Sequence, residues 1–127
     1  MWIVIKYKSK NLNILKSNMI KKITVIPTYY CPKVKIHKYI NNRLKEFEKI
    51  LLEGYLLCYH KKFEDNLFLE QLKNIKGLEY ILPSAKKNQK DIIRFVNYCK
   101  SFEGSNGYLM STFFDNLKTK YAEFLSG

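Results

Sequence analysis

The stretch Lys49–Tyr59, KILLEGYLLCY, is the most hydrophobic segment of the chain, and it is interrupted by a carboxylate and a glycine. Its continuation from Gly54, GYLLCYH, carries few charges, which predicts a central strand of a sheet. A glycine inside such a run marks a sharp turn or a place where another group approaches the backbone closely. We therefore expect the chain to bend at Glu53 and Gly54, just before a buried strand begins at Tyr55.

The segments well before this stretch predict a strand and a helix. WIVIKYK, residues 2–8, is β-branched and aromatic, as buried strands are. The next segment places apolar residues at spacings of three and four, which predicts an amphipathic helix with lysines on its outer face. The inward residues are Leu12, Leu15, Met19 and Ile23. Pro27 and Pro32 then predict irregular backbone, because proline lacks the amide hydrogen that a sheet needs.

A lysine-rich hairpin is predicted between the prolines and the opening stretch. Val34 and Ile36 alternate with charged residues, which is the pattern of a half-exposed strand. NNR, residues 41–43, turns the chain, and LKEFEKIL, residues 44–51, returns it as a second strand.

Two further helices and one short strand are predicted after the opening stretch. FEDNLFLEQLKNIKG, residues 63–77, predicts a helix that Gly77 ends, and LEYIL, residues 78–82, predicts a strand. NQKDIIRFVNYCKSFE, residues 88–103, predicts the next helix. The expected inward residues are Leu67, Phe68, Leu72 and Ile75 in the first helix, and Ile92, Ile93, Val96 and Cys99 or Tyr98 in the second.

The predicted order of elements is β-α-β-β-β-α-β-α, which favours an α/β fold of the α+β sandwich type. We expect one mainly antiparallel sheet of about four strands with helices on both faces. A flexible joint, GSNG at residues 104–107, leads to a C-terminal amphipathic helix. Its apolar stripe contains Met110, Phe113, Phe114, Leu117, Tyr121, Phe124 and Leu125. This stripe must pack on the chain itself or dock on a partner, because so short a helix is marginal alone.

Length and charge bound the function. A chain of 127 residues with 46% hydrophobic residues suits one domain with a real core. Its 23 basic and 11 acidic residues give a net charge of +12, which favours a nucleic acid as partner. Nearly all of this charge is lysine, which favours contact with phosphates over base reading. A solvated basic surface without a partner is the alternative.

The ten tyrosines suit an interface, and AT-rich coding is the other explanation for them.

Cysteine usage and hydropathy predict a cytoplasmic protein. Cys31, Cys58 and Cys99 are odd in number and widely spaced, which is typical of a reduced compartment. No signal peptide or membrane span is expected, and no membrane partner, because no apolar run approaches the length of a bilayer crossing.

The sequence holds no motif that favours an enzyme. It has no phosphate-binding glycine loop, and His37 and His60 have no nucleophile or carboxylate at a telling spacing. Cys58 and His60 resemble half of a metal site, but zinc needs three or four protein ligands. We therefore expect no catalytic site, no metal and no cofactor. A small enzyme whose site assembles from distant residues is one competing hypothesis.

The order of motifs resembles the N-terminal domain of the NusG/RfaH family of transcription elongation factors. Trp2 matches the family's opening tryptophan, and residues 52–55, Leu-Glu-Gly-Tyr, match the segment that opens its central strand. IKGLEYIL, residues 75–82, and NQKDIIRFV, residues 88–96, resemble its later strand and closing helix. The likeness covers residues 1–103, and Glu53 departs from it, since the family usually has proline there.

The resemblance implies a transcription elongation or antitermination factor that is not an enzyme. Such domains bind the clamp helices of the largest RNA polymerase subunit and bridge the cleft over the DNA. Tyr55 would then anchor an apolar groove that receives a helix. The polymerase-binding residues implied are Leu52, Glu53, Gly54, Tyr55, Leu57, Tyr80 and Leu82. A tyrosine packed in the core with its hydroxyl at the surface is the alternative for Tyr55.

The resemblance also places a nucleic-acid surface at the end of the first strand and along the first helix. It would contact the non-template or upstream DNA through phosphates. The lysines implied are Lys8, Lys10, Lys16, Lys21 and Lys22. A lysine-decorated solvent face is the alternative.

The chain departs from the family after residue 103. Residues 104–127 are too few for the β-barrel KOW domain that usually follows, so we expect no KOW domain and no ribosome contact. A factor of this kind fits a phage or mobile element. A stand-alone basic RNA- or DNA-binding module is the other competing hypothesis.

Overall fold

A computed structural model describes residues 1–110 of the chain. Contacts between residues divide it into two compact units. The first comprises Met1–Tyr30 and Glu53–Ile93, and the second comprises Cys31–Leu52 and, among the described residues, 94–110.

The described residues form an α+β fold. The strands are β1 (Trp2–Tyr7), β2 (Thr28–Tyr30), β3 (Lys33–Ile40), β4 (Arg43–Ile50), β5 (Tyr55–Tyr59) and β6 (Leu78–Ile81). The α-helices are α1 (Leu12–Ile23), α2 (Asn66–Glu70) and α3 (Gln89–Ser101), with 3-10 turns at Ser9–Asn11, Lys61–Glu64 and Pro83–Lys86.

The first unit is built on a four-stranded antiparallel sheet in the order β2-β5-β1-β6. This confirms the predicted fold class and the interior position of β5. Three consecutive residues of β1, Ile3–Ile5, are buried, and so are Leu56–Cys58 of β5. Since successive side chains of a strand point to opposite faces, both faces of these two strands are covered. Removing such side chains from water stabilises the fold by about 1.5–3 kcal/mol each.

Helix α1 follows its predicted pattern. Leu15, Met19 and Ile23 are buried at spacings of four, and Leu12 is half-buried. The helix ends at Thr24, which adopts a left-handed conformation with φ of 58° and donates its amide to the Ile20 carbonyl. This is a common way for a helix to end.

Helix α2 is much shorter than predicted. The Asp65 side chain caps its start by accepting from the Leu67 amide, but the helix ends at Glu70. The chain then passes through turns and reaches Asn74 in the left-handed region. The prediction that Leu67 faces inward is wrong, since it is 78% exposed. Leu72 is fully buried from the turn, not from a helix.

Helix α3 confirms three of its predicted inward residues and corrects a fourth. Ile92, Val96 and Cys99 are buried, whereas Ile93 is 45% exposed. Phe95, which the prediction omitted, is buried. The Gln89 side chain fixes the start of the helix, because it accepts from the Trp2 amide and donates to the Trp2 carbonyl.

In the second unit, β3 and β4 form a separate two-stranded sheet, so the prediction of a single sheet is wrong. The predicted hairpin itself is confirmed, with strands paired from Lys33 opposite Ile50 to Ile40 opposite Arg43. Asn41 and Asn42 form its turn with φ of 52° and 63°. Asparagine tolerates this region, and two such residues suit the two-residue turn of a hairpin.

No helix among the described residues is long and apolar enough to cross a membrane. The predicted C-terminal helix lies outside the described residues, apart from Met110, which is 51% exposed. The predicted domain boundary after residue 103 stays a prediction.

Candidate functional site

Three side chains from adjacent strands of the first unit meet on one surface. In the register of the sheet, Lys6 of β1 lies opposite Tyr55 of β5 and opposite Tyr80 of β6. The Lys6 ammonium lies 4.6 Å from the centre of the Tyr55 ring, which is a cation–π contact. A hydrogen bond with the Tyr55 side chain raises the pKa of Tyr80. Together, Lys6, Tyr55 and Tyr80 are called the tyrosine patch.

The tyrosine patch is accessible from solvent. Tyr80 is 45% exposed, and Tyr55 and Lys6 are half-buried. Aromatic rings of this kind, with apolar faces and polar tips, are enriched at protein interfaces. The arrangement therefore offers a partner a coupled pair of tyrosines and a cation within one small area.

Gly54 makes this arrangement possible. Its φ is 85°, a conformation that favours glycine, and its carbonyl accepts a hydrogen bond of 2.9 Å from the Tyr7 amide. A Cβ atom at Gly54 would lie 2.5 Å from the Lys6 Nζ, so a side chain would displace the ammonium. The expected bend before β5 is therefore present. Glu53 beside it is exposed and lines an open depression together with Lys6.

The three leucines predicted as groove walls are core residues. Leu57 is fully buried, Leu82 is 5% exposed, and Leu52, which belongs to the second unit, is 4% exposed. Their prediction as an open groove is wrong. Leu57 shares a face of β5 with Tyr55, but that face is covered at Leu57 and open at Tyr55.

Lys8 and Lys10 are exposed beside the tyrosine patch. They line an open depression of about 620 Å³. Its other charged lining residues are Lys6, Glu53 and Glu79. Because two carboxylates oppose three lysines, the depression has only a small positive balance.

Lys21 and Lys22 line a different and more basic surface. An open depression of about 880 Å³ brings them together with two lysines from after α2, Lys73 and Lys76. Its single carboxylate, Glu70, is paired with Lys73 at 2.8 Å. We call these four lysines the lysine depression. The excess of positive charge makes it a candidate for binding phosphates.

Lys16 is separate from both depressions. Its ammonium lies 4.9 Å from the centre of the Tyr29 ring. The structure therefore distributes the predicted nucleic-acid lysines over three places instead of along one surface.

Three functional candidates were missed in the sequence. Lys6 is the one charged residue within β1, and a charge inside such an apolar strand is a signal that could have found it. Lys73 and Lys76 belong to the segment that was predicted as helix and instead forms turns. Their approach to α1 is fixed by the Asn18 side chain, which donates 3.3 Å to the Lys76 carbonyl. No local pattern reveals that contact.

His60 and Cys58, which resemble half of a metal site in the sequence, have structural roles in the fold. His60 accepts from the Lys62 amide at 3.0 Å and caps a 3-10 turn. Burial raises the pKa of the Cys58 thiol, which keeps it protonated. Within residues 1–110, no three metal-binding side chains lie together.

No protein-family model matches the sequence, and no curated protein matches it.

Proposed function

We propose that this protein is a NusG-like transcription elongation or antitermination factor that docks on the clamp helices of RNA polymerase. It would act in the cytoplasm and carry out no catalysis itself. The tyrosine patch is the observation that carries the proposal. Its Tyr55 ends the Leu-Glu-Gly-Tyr segment and begins β5, where the resemblance expects the polymerase contact.

The surface differs from the groove that the resemblance implies. With the leucines in the core, the docking surface is a shallow aromatic patch of Tyr55 and Tyr80, with the Lys6 ammonium over the Tyr55 ring. Lys6 and the exposed Glu53 line the adjoining depression. Tyrosine pairs of this kind are frequent sources of binding energy at interfaces. A partner helix could place an aliphatic side chain on the rings and a basic residue against Glu53.

The four-stranded antiparallel sheet, with its two interior strands β1 and β5 buried on both faces, is compatible with the fold of the NusG domain. The lysines near the patch add a role for DNA. Lys8 and Lys10 lie in the adjoining depression, from which they could contact the phosphates of upstream or non-template DNA.

Affinity capture tests the proposal. The full chain, used as bait in a nuclease-treated extract of its source cells, should enrich the largest polymerase subunit. Nuclease treatment removes capture through shared nucleic acid. Failure to enrich polymerase, with the bait folded and in excess, would contradict the proposal.

A stand-alone nucleic-acid-binding module is the second candidate, and the lysine depression favours it. Four lysines with one neutralised carboxylate are suited to phosphate groups without any polymerase. Replacing Lys21, Lys22 and Lys76 with glutamine should then weaken binding of the purified chain to nucleic acid. Under the polymerase proposal, the same variant used as bait should enrich polymerase to the same extent as the wild type.

A further inference from the structure

We propose that one face of the β3–β4 hairpin binds single-stranded DNA, stacking a base on Phe47 and holding the neighbouring phosphates with basic side chains. The site lies in the second unit and depends on neither the tyrosine patch nor the lysine depression. It therefore stands or falls independently of the polymerase proposal.

The register of the hairpin sorts its side chains into two faces. Residues directly opposite each other on paired strands share a face, and successive pairs alternate. One face, called the ribbon face, comprises the pairs Val34–Lys49, Ile36–Phe47, Lys38–Lys45 and Ile40–Arg43. The opposite face comprises Lys33–Ile50, Lys35–Glu48, His37–Glu46 and Tyr39–Leu44.

All acidic residues of the hairpin strands lie on the opposite face and are paired there. Glu48 lies 3.6 Å from Lys33, and Glu46 lies 2.9 Å from Lys35 and 3.1 Å from His37. These contacts lower the pKa of Glu46, with the Lys35 hydrogen bond as the main cause. The opposite face is therefore close to neutral.

The ribbon face carries cations and apolar residues without a carboxylate. Among residues 1–110, Lys38, Arg43 and Lys45 form no ion pair, and all three are exposed. Such segregation of charge is not needed to stabilise the hairpin, since Lys38 and Lys45 are directly opposed like charges, which destabilise a strand pair. An anionic partner would offset this repulsion.

Strand β4 places these groups at a regular interval. Arg43, Lys45, Phe47 and Lys49 alternate along it, so successive members lie about 6.8 Å apart at the usual rise per residue. This interval is comparable to the spacing of phosphates along an extended nucleic-acid strand. Phe47 is 39% exposed and stands between the cations. An aromatic ring within a basic track is the arrangement by which proteins bind unpaired bases.

The ribbon face is open to a strand of this kind. Residues 37–49 are exposed on both faces of the hairpin, and Phe47 keeps 39% of its surface accessible among the described residues. Stacking on Phe47 requires an unstacked base, which favours a single strand over a duplex. The ring and the cations of the ribbon face bind bases and phosphates, and neither contact requires a ribose 2′-hydroxyl. We assign single-stranded DNA as the ligand.

The test is binding of the full chain to fluorescein-labelled oligodeoxythymidylate, followed by anisotropy over a range of salt concentrations. Lys38→Gln with Lys45→Gln should weaken binding about tenfold at low salt. Two lost phosphate contacts should also reduce the slope of log affinity against log salt by about 1.4. The matched control, Lys33→Gln with Lys35→Gln, removes the same charge from the opposite face and should leave the slope unchanged.

Phe47→Leu separates stacking from charge. It retains an apolar side chain and every cation, and we expect about a fivefold or greater loss of affinity with an unchanged salt slope. Circular dichroism and melting of each variant verify that the hairpin is folded. The proposal would be overturned if the two double lysine variants lost equal affinity for the oligonucleotide. It would also be overturned if Phe47→Leu lost none. Tighter binding of a duplex, or tenfold tighter binding of oligouridylate, would overturn it as well.

Discussion

Replacing Gly54 with alanine tests the physical basis of the tyrosine patch. The left-handed conformation at φ of 85° costs a residue with a Cβ atom about 1–2 kcal/mol. The new Cβ would also lie 2.5 Å from the Lys6 Nζ, so the ammonium must leave the Tyr55 ring. Losing a cation–π contact near the surface costs about 0.5–1 kcal/mol more. Gly54→Ala should therefore destabilise the fold by about 1.5–3 kcal/mol.

Two controls separate the strain from the contact. In a Lys6→Met background there is no ammonium to displace, so Gly54→Ala should cost only the strain of about 1–2 kcal/mol. Gly107→Ala provides an independent measure of that strain, because Gly107 has φ of 78° and nothing within 4 Å of an added Cβ.

Urea unfolding followed by circular dichroism gives each free energy, and thermal melting should show a loss of roughly 4 °C per kcal/mol. The reasoning is refuted if Gly54→Ala costs the same in the wild-type and Lys6→Met backgrounds. That result would show that Lys6 does not lie over Tyr55 in solution. A neutral Gly54→Ala would refute the backbone conformation itself.

Two further predictions concern the thiols and the hairpin carboxylates. Cys31 should react first with a thiol reagent under native conditions, because it is half-buried, whereas Cys58 and Cys99 are buried and should react only on unfolding; equal native rates for all three would contradict the core. The pKa values of Glu46 and Glu48 are lowered from 4.5 in the fold, so their contribution to stability is present above that pH and lost as the pH falls through the lowered values. Amide exchange in the hairpin, corrected for its intrinsic pH dependence, should therefore accelerate in acid, and Glu46→Gln with Glu48→Gln should abolish the change; an unchanged acid response in that variant would show that other groups cause it.

The periodic segments could be predicted from the sequence alone. Leu15, Met19 and Ile23 repeat at four residues and are buried as the pattern requires, and the Asn41–Asn42 turn marks the hairpin. Each of these signals is local, so it can be recognised from neighbouring residues without knowledge of the rest of the chain.

Features that depend on distant neighbours could not be predicted. Strand β2 is three residues long between Pro27 and Pro32 and exists because it pairs with β5. The pattern of α2 continues beyond Glu70, but the chain turns there, which leaves Leu67 exposed. Propensity alone does not determine where a helix ends once tertiary contacts compete with it.

The candidate site shows the same limit. The bend at Gly54 follows from a glycine within an apolar run, and it is present. On one face of β5, Leu57 is buried while Tyr55 is partly accessible. This difference depends on where the elements that cover the face end. Lys6 enters the patch only through the register of β1 against β5 and β6, which the sequence does not contain.

The most direct test of the polymerase proposal is the affinity of purified RNA polymerase for the Tyr55→Ala variant. Removing a central aromatic anchor should cost about 2 kcal/mol or more, a loss of about thirtyfold. Tyr39→Ala is the matched control, because Tyr39 is 77% exposed on the hairpin and does not belong to the patch. This variant should bind polymerase like the wild type. The account predicts that both variants stay folded. Only Tyr55→Ala should lose affinity for polymerase. Equal binding by Tyr55→Ala and the wild type would contradict it.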